Sequence, residues 1–158
     1  MPNWTDCRVT ISHKNPDKVD QLVMILNGEE PFNAIVPMPS LVSLEEKYTG
    51  SMPEWYGWRC DNWGTKWEPD VLEVHRPTST TIDCNMLTAW SPPTRIWDTL
   101  CNLGFSVEAV YLDEGWCYCG HYQDKADQQY DVDLGTMPET IANAFRDIIQ
   151  TCLEESQP

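Results

Sequence analysis

At 158 residues, with 41% hydrophobic and 22% charged side chains, the chain is long enough for one domain with a true core and too apolar for a disordered one. Its net charge of −15 repels phosphate backbones, which disfavours direct nucleic-acid binding and favours basic partners. No apolar run reaches 18 residues and no basic-then-apolar leader opens the chain, so the reading excludes a membrane span and a signal peptide.

In chain order, residues 4–12 (WTDCRVTIS) alternate as a strand, with Val9 and Ile11 on one face. Asn15-Pro16-Asp17 then reads as a cap, a first-turn proline and a first-turn acid. Val19, Leu22, Val23 and Leu26 follow at helical spacing, and the helix stops near Asn27-Gly28. Residues 29–50 read as an ordered loop with apolar anchors. Residues 52–67 (MPEWYGWRCDNWGTKW) are a Trp-rich insertion that Pro53 opens and Gly64 closes as a short helix. Eight tryptophans in so small a domain predict aromatic packing around loops.

The rest reads as strands at 71–75 and 80–90, then a helix capped by Ser91 with Ile96, Trp97, Leu100 and Leu103 as its apolar stripe and Gly104 as its end. Strands at 105–114 and 115–123 flank a tight Asp113-Glu114-Gly115 turn, and 128–134 is a further short strand. A helix over about 137–155 closes the chain, with Ile141, Ala144, Phe145, Ile148, Ile149 and Cys152 on one side. This order predicts a single α+β domain over 1–158, an antiparallel sheet of the ferredoxin-like split βαβ kind with helices packed on one face.

The seven cysteines are odd in number and irregular in spacing, which predicts reduced thiols in a cytosol, mostly as small core residues. Cys117 and Cys119 lie two apart, yet His121 alone does not complete a zinc site. Asp131 and Asp133 lack the other ligands and the glycine of a calcium loop. His13, His75 and His121 are scattered, and no phosphate-binding glycine loop is present. The sequence therefore predicts no catalytic residue, no metal and no cofactor.

Four blocks stand out: Met1-Pro2-Asn3-Trp4, Ile35-Val36-Pro37-Met38-Pro39, Asn62-Trp63-Gly64-Thr65-Lys66-Trp67 and Thr88-Ala89-Trp90-Ser91-Pro92-Pro93. In order and spacing they resemble the YubB ferredoxin-like family of small proteins carried by bacterial plasmids and phages. The resemblance runs from residue 1 to about residue 122 and does not extend to the acidic helix after Met137. It departs from the family pattern at Thr5-Asp6-Cys7, where the family sets a cysteine nearer the tryptophan. It implies a ferredoxin-like domain without an iron–sulfur cluster and a mobile-element origin, and it carries over no catalytic residue.

Two surfaces are candidates for function. In the first, Trp58, Asn62, Trp63, Lys66 and Trp67 form an aromatic site for a small ligand or nucleotide, with Lys66 meeting a phosphate. The competing reading makes the rings buried anchors and Gly64 a positive-φ turn. The second surface follows the charge, since residues 68–158 hold 4 basic and 16 acidic side chains. Asp113, Glu114, Asp124, Asp127, Asp131, Asp133 and Glu139 would form an acidic face that imitates phosphate spacing. Such a face would engage, and block, a basic protein or nucleoprotein complex of a bacterial host, such as a defence complex, in the cytoplasm. The competing reading is a solvated surface. RNA binding on the sheet face is a weaker option, because the basic surface is missing.

Overall fold

The computed structural model describes residues 3–40 and 54–155. Six strands, β1 (Trp4–Ser12), β2 (Asp70–Thr78), β3 (Thr81–Ala89), β4 (Ser106–Asp113), β5 (Cys119–Gln123) and β6 (Ala126–Tyr130), form one sheet in the order β2-β3-β1-β4-β5-β6. Every neighbouring pair is antiparallel. The chain is α+β as expected, and its first four strands run in the split βαβ order of a ferredoxin-like sheet. The β5–β6 hairpin adds two strands at one edge.

Among the described residues the helices are α1 (Pro16–Leu26), α2 (Pro31–Ile35), α3 (Glu54–Asn62), α4 (Thr94–Asn102), α5 (Glu139–Ala144) and α6 (Arg146–Glu155). The two-residue period of β1 sends Cys7, Val9 and Ile11 to one face. There they meet Val19, Leu22 and Leu26 of α1 and Ile96, Trp97 and Leu100 of α4. The predicted start of α1 is the one observed: the Asn15 side chain accepts from the Asp17 amide at 3.0 Å.

Helices packed on one face describes the fold as far as α4, but α5 and α6 lie across the other. Val110 and Leu112 of β4 and Cys119 of β5 pack there against Met137, Ile141, Phe145 and Ile149. The reason is β4 itself, which is apolar on both sides: Val107, Ala109 and Tyr111 face the first layer while Val110 and Leu112 face the second. The single helix expected over 137–155 is broken at Phe145, whose φ of −111° and ψ of 20° leave the helical region. At that break the Arg8 guanidinium donates to the Ala144 carbonyl.

Other boundaries moved for local reasons. The loop expected over 29–50 contains α2, whose Phe32 and Asn33 amides both donate to the Glu68 carboxylate at 2.8 Å, a cap supplied from far along the chain. The part of that loop from 41 to 50, like Pro53, lies outside the described residues. Ser91 does not cap α4; its hydroxyl donates to the Gly64 carbonyl at 2.6 Å, and Pro93 holds the cap position. β5 begins at Cys119 rather than 115. β6 spans 126–130 rather than 128–134, because Asp124 and Lys125 form a two-residue hairpin turn with φ of 44° and 75°.

Candidate functional site: the aromatic and acidic end of the sheet

The Trp-rich insertion divides into core and surface. Trp63 is fully buried and Trp58 is 6% exposed. The Trp63 indole donates to the Val36 carbonyl at 2.9 Å and meets Phe32 and Trp58 edge-on at 5.8 and 5.9 Å. Arg59 lies over both Trp63 and Trp55, at 4.7 and 5.0 Å from the ring centroids. Asn62 donates to the Trp58 carbonyl at 2.8 Å. Gly64 has φ of +86°, and a Cβ there would meet the Thr94 amide nitrogen at 3.0 Å, so the turn requires glycine. Trp58, Asn62 and Trp63 are therefore anchors, and the five-residue ligand site expected from the sequence is not assembled.

Lys66 and Trp67 belong to a different cage. The Lys66 ammonium lies 4.1 Å from the centroid of Trp90, 4.6 Å from Trp67 and 5.7 Å from Tyr56. Tyr56 and Trp90 themselves meet edge-on at 5.9 Å. Three rings enclose the protein's own cation, an arrangement stabilised by the negative ring faces. Sequence reasoning missed Tyr56 and Trp90 as partners because only the end of β3 brings them together.

This cage stands at the end of the sheet where β1 starts and β3 and β4 finish, since Trp4 pairs with Ala89 and Thr5 with Asp113. Trp4 lies 6.2 Å from Trp67. Two tryptophans of this rim hold left-handed backbone, Trp90 at φ 70° and Trp116 at φ 60°. Such angles are uncommon for bulky side chains and need local support. The Trp90 carbonyl accepts from the Tyr118 hydroxyl at 2.6 Å, and the Trp116 amide donates to the Asp113 carbonyl at 2.9 Å. Between this rim and α6 lies a cavity of about 290 Å³ with Trp4, Trp116, Leu87, Leu112 and Ile148 as its walls. Two carboxylates, Asp6 and Glu114, open into it. Burial raises the Asp6 carboxyl above its ordinary range, with Arg8 opposing and Asp147 reinforcing the shift.

The predicted acidic set does not form one face. Asp113 is buried and accepts from the Cys117 amide at 3.1 Å; Glu114 accepts from the Trp4 amide at 2.9 Å. Asp124 sits in the hairpin turn at the opposite end of β5 and accepts from Ser106 and the Val107 amide. Asp127 accepts from the Tyr111 hydroxyl at 2.6 Å, and Asp133 from the Gly135 amide at 2.8 Å. Asp131 and Glu139 are simply exposed. Most of these acids thus have positions fixed by structural hydrogen bonds.

A second group of carboxylates does share a face. On the side of the sheet that carries α5 and α6, register aligns His75, Asp83, Thr10 and Glu108 in one row across β2, β3, β1 and β4. The next row holds Glu73, Asn85 and Arg8, and the row beyond it Asp70, Leu87 and Asp6. Asp70, Glu73, Asp83 and Glu108 are exposed. A groove of about 360 Å³ runs here between Arg8, Asp83, Glu108 and Thr140. The two-residue period of the strands held the signal for this face, since these acids alternate with buried apolar residues on β3 and β4.

Several of the remaining titratable groups are held in their neutral form by burial. All seven cysteines are free, with Cys7, Cys84 and Cys119 buried. Burial pushes the Cys84 thiol up to about 12, so it stays protonated and unreactive. Burial likewise moves the Tyr118 hydroxyl up to about 12. Among the described residues no group of three His, Cys, Asp or Glu side chains could hold a metal ion, and no helix is long and apolar enough to cross a membrane. No family model, curated protein or solved structure matches the chain.

Proposed function

We propose that the protein is a binding protein whose acidic sheet face engages a basic, nucleic-acid-handling complex of a bacterial host and obstructs its nucleic-acid site. The observation that carries this reading is the shared face of Asp70, Glu73, Asp83 and Glu108 on one side of an antiparallel sheet. Sheets that read RNA present aromatic and basic side chains on such a face, whereas this one presents four exposed carboxylates beside His75, Arg8 and His121, the last 3.1 Å from Glu108. Neighbouring strands lie about 4.8 Å apart, so acids two strands apart, such as Asp83 and Glu108, span about 10 Å of a partner's cationic cleft. The net charge of −15 adds a long-range field that steers basic surfaces toward the protein. The resemblance to the YubB family supports a phage or plasmid origin and action in the host cytoplasm, with a defence complex as a natural target.

The test is affinity capture from bacterial lysate by the native protein and by an Asp70→Asn, Glu73→Gln, Asp83→Asn, Glu108→Gln variant. The amides keep the volume of the acids and can still accept the Thr10 hydrogen bond made to Asp83. Mass spectrometry should identify a nucleic-acid-binding complex on the native protein, released by salt and displaced by duplex DNA, and absent from the variant. Retention by the variant would remove the sheet face from the contact. Capture of no nucleic-acid-binding protein by the native chain would sink the reading.

A further inference from the structure

We propose that the cavity between α6 and the start of β1 is a binding site for an organic cation, a guanidinium or alkylammonium group on an apolar stem. Its walls divide by chemistry. Trp4 and Trp116 line it with indoles, the side chains whose rings attract cations best, while Leu112 and Ile148 offer apolar surface for a stem. Asp6 and Glu114 supply negative charge. Asp6 has only a long contact to the Arg8 Nε at 3.8 Å, because that guanidinium is directed to the Ala144 carbonyl and the Phe145 ring. The acid is half-buried and, with that contact so long, incompletely neutralised, which suits it to an incoming cation. A volume of about 290 Å³ is at the small end for ligand pockets and matches one long side chain or a small amine.

Two independent features point the same way. Trp116 occupies left-handed backbone at φ 60°, where glycine would be relaxed, and this strained residue is one that lines the cavity. On the same rim the protein already holds a cation in this manner, with Lys66 among Tyr56, Trp67 and Trp90, and Trp67 in turn beside Trp4. The site does not depend on the sheet face having a partner. The cation can come from a free amine or from an arginine side chain on a protein, and the two sources are separable.

The experiment follows the indole N–H resonances of Trp4 and Trp116 by NMR during titration with agmatine, with a capped Gly-Arg-Gly tripeptide and with its neutral citrulline counterpart. The expected result is a saturable shift with at least one cation and none with citrulline. Tighter binding of the tripeptide assigns the site to a protein side chain, and tighter binding of agmatine to a free amine. Trp116→Gly, which relaxes the backbone, should weaken binding by about tenfold or more, as the loss of a desolvated cation–ring contact implies. Glu114→Gln retains an acceptor for the Trp4 amide and should also weaken it. Equal shifts with citrulline, no saturation up to about 10 mM cation, or unchanged affinity in the folded Glu114→Gln and Trp116→Gly proteins would overturn the proposal.

Discussion

The guanidinium of Arg8, near the middle of the central strand, lies 4.5 Å from the ring centroid of Phe145, the residue at which the C-terminal helix breaks. The same side chain donates to the Ala144 carbonyl and contacts Asp147 at 3.5 Å. One residue of β1 therefore ties the second helical layer to the sheet. A carbonyl at a helix end needs an outside donor, and a cation is the strongest available.

Replacing Arg8 with methionine keeps the apolar stem and removes the donors and the charge. The expected loss is about 1–3 kcal/mol, the range for a charge-assisted bond in a part-buried setting. The loss should be local. Hydrogen exchange should accelerate over residues 139–155 while β1 and β3 keep their protection. Uniform acceleration across the sheet would show that Arg8 supports the fold as a whole and not the docking of α5 and α6.

Gly120 of β5 pairs with Tyr111 of β4, and a Cβ at Gly120 would enter the Tyr111 ring. That ring is held in place by Asp127, which accepts its hydroxyl at 2.6 Å, and by Trp97 at 6.4 Å. Gly120→Ala should therefore cost about 1–3 kcal/mol by overpacking. In a domain of this size each kcal/mol lowers Tm by about 2–4 °C. Adding Tyr111→Leu should recover part of the loss, a non-additivity that urea titration of the two single variants and the double variant would measure.

The Lys66 cage predicts a smaller effect. Lys66→Met preserves much of the side chain's length but removes the ammonium from Tyr56, Trp67 and Trp90. An exposed cation–ring contact contributes about 0.5–1 kcal/mol, so the midpoint of urea unfolding should fall by that equivalent. Lys66→Arg should retain most of the stability. Equal losses in both variants would mean that the stem, not the charge, fills the cage.

What could be read in advance follows physical range. Val19, Leu22 and Leu26 declare α1 because helical periodicity and the Asn15 cap are local. The α+β class with an antiparallel sheet also followed, since a βαββαβ succession admits few packings. The placement of α5 and α6 on the second face did not, because Val110 and Leu112 read as one apolar run with Val107 and Tyr111. The Glu68 cap on α2 joins residues 35 and 36 positions apart, a distance at which pattern gives no signal. NWGTKW was legible as important, but its roles were not: Trp63 is core, and Lys66 finds its rings in Tyr56 and Trp90.

Acidity tests the electrostatics as a whole. Desolvation raises the carboxyls of both Asp6 and Glu68 above their reference values of 3.8 and 4.5, despite opposing charges from Arg8 and Arg59. Two backbone amides also oppose the shift at Glu68. In the window just above those values the folded protein then binds more protons than the unfolded chain. Stability must rise as pH falls into that window and be lost as pH climbs through the folded pKa values. Relief of self-repulsion at net charge −15 acts in the same direction. Tm should be higher at about pH 5.5 than at about pH 8, and added salt should narrow the gap by screening the surface charge. Asp6→Asn should flatten the profile near the acid end without changing the salt response. If that variant keeps the full pH slope, the general charge and not the buried carboxyl governs it; if Tm falls steadily from about pH 8 to about pH 5.5, relief of self-repulsion is ruled out as the governing cause.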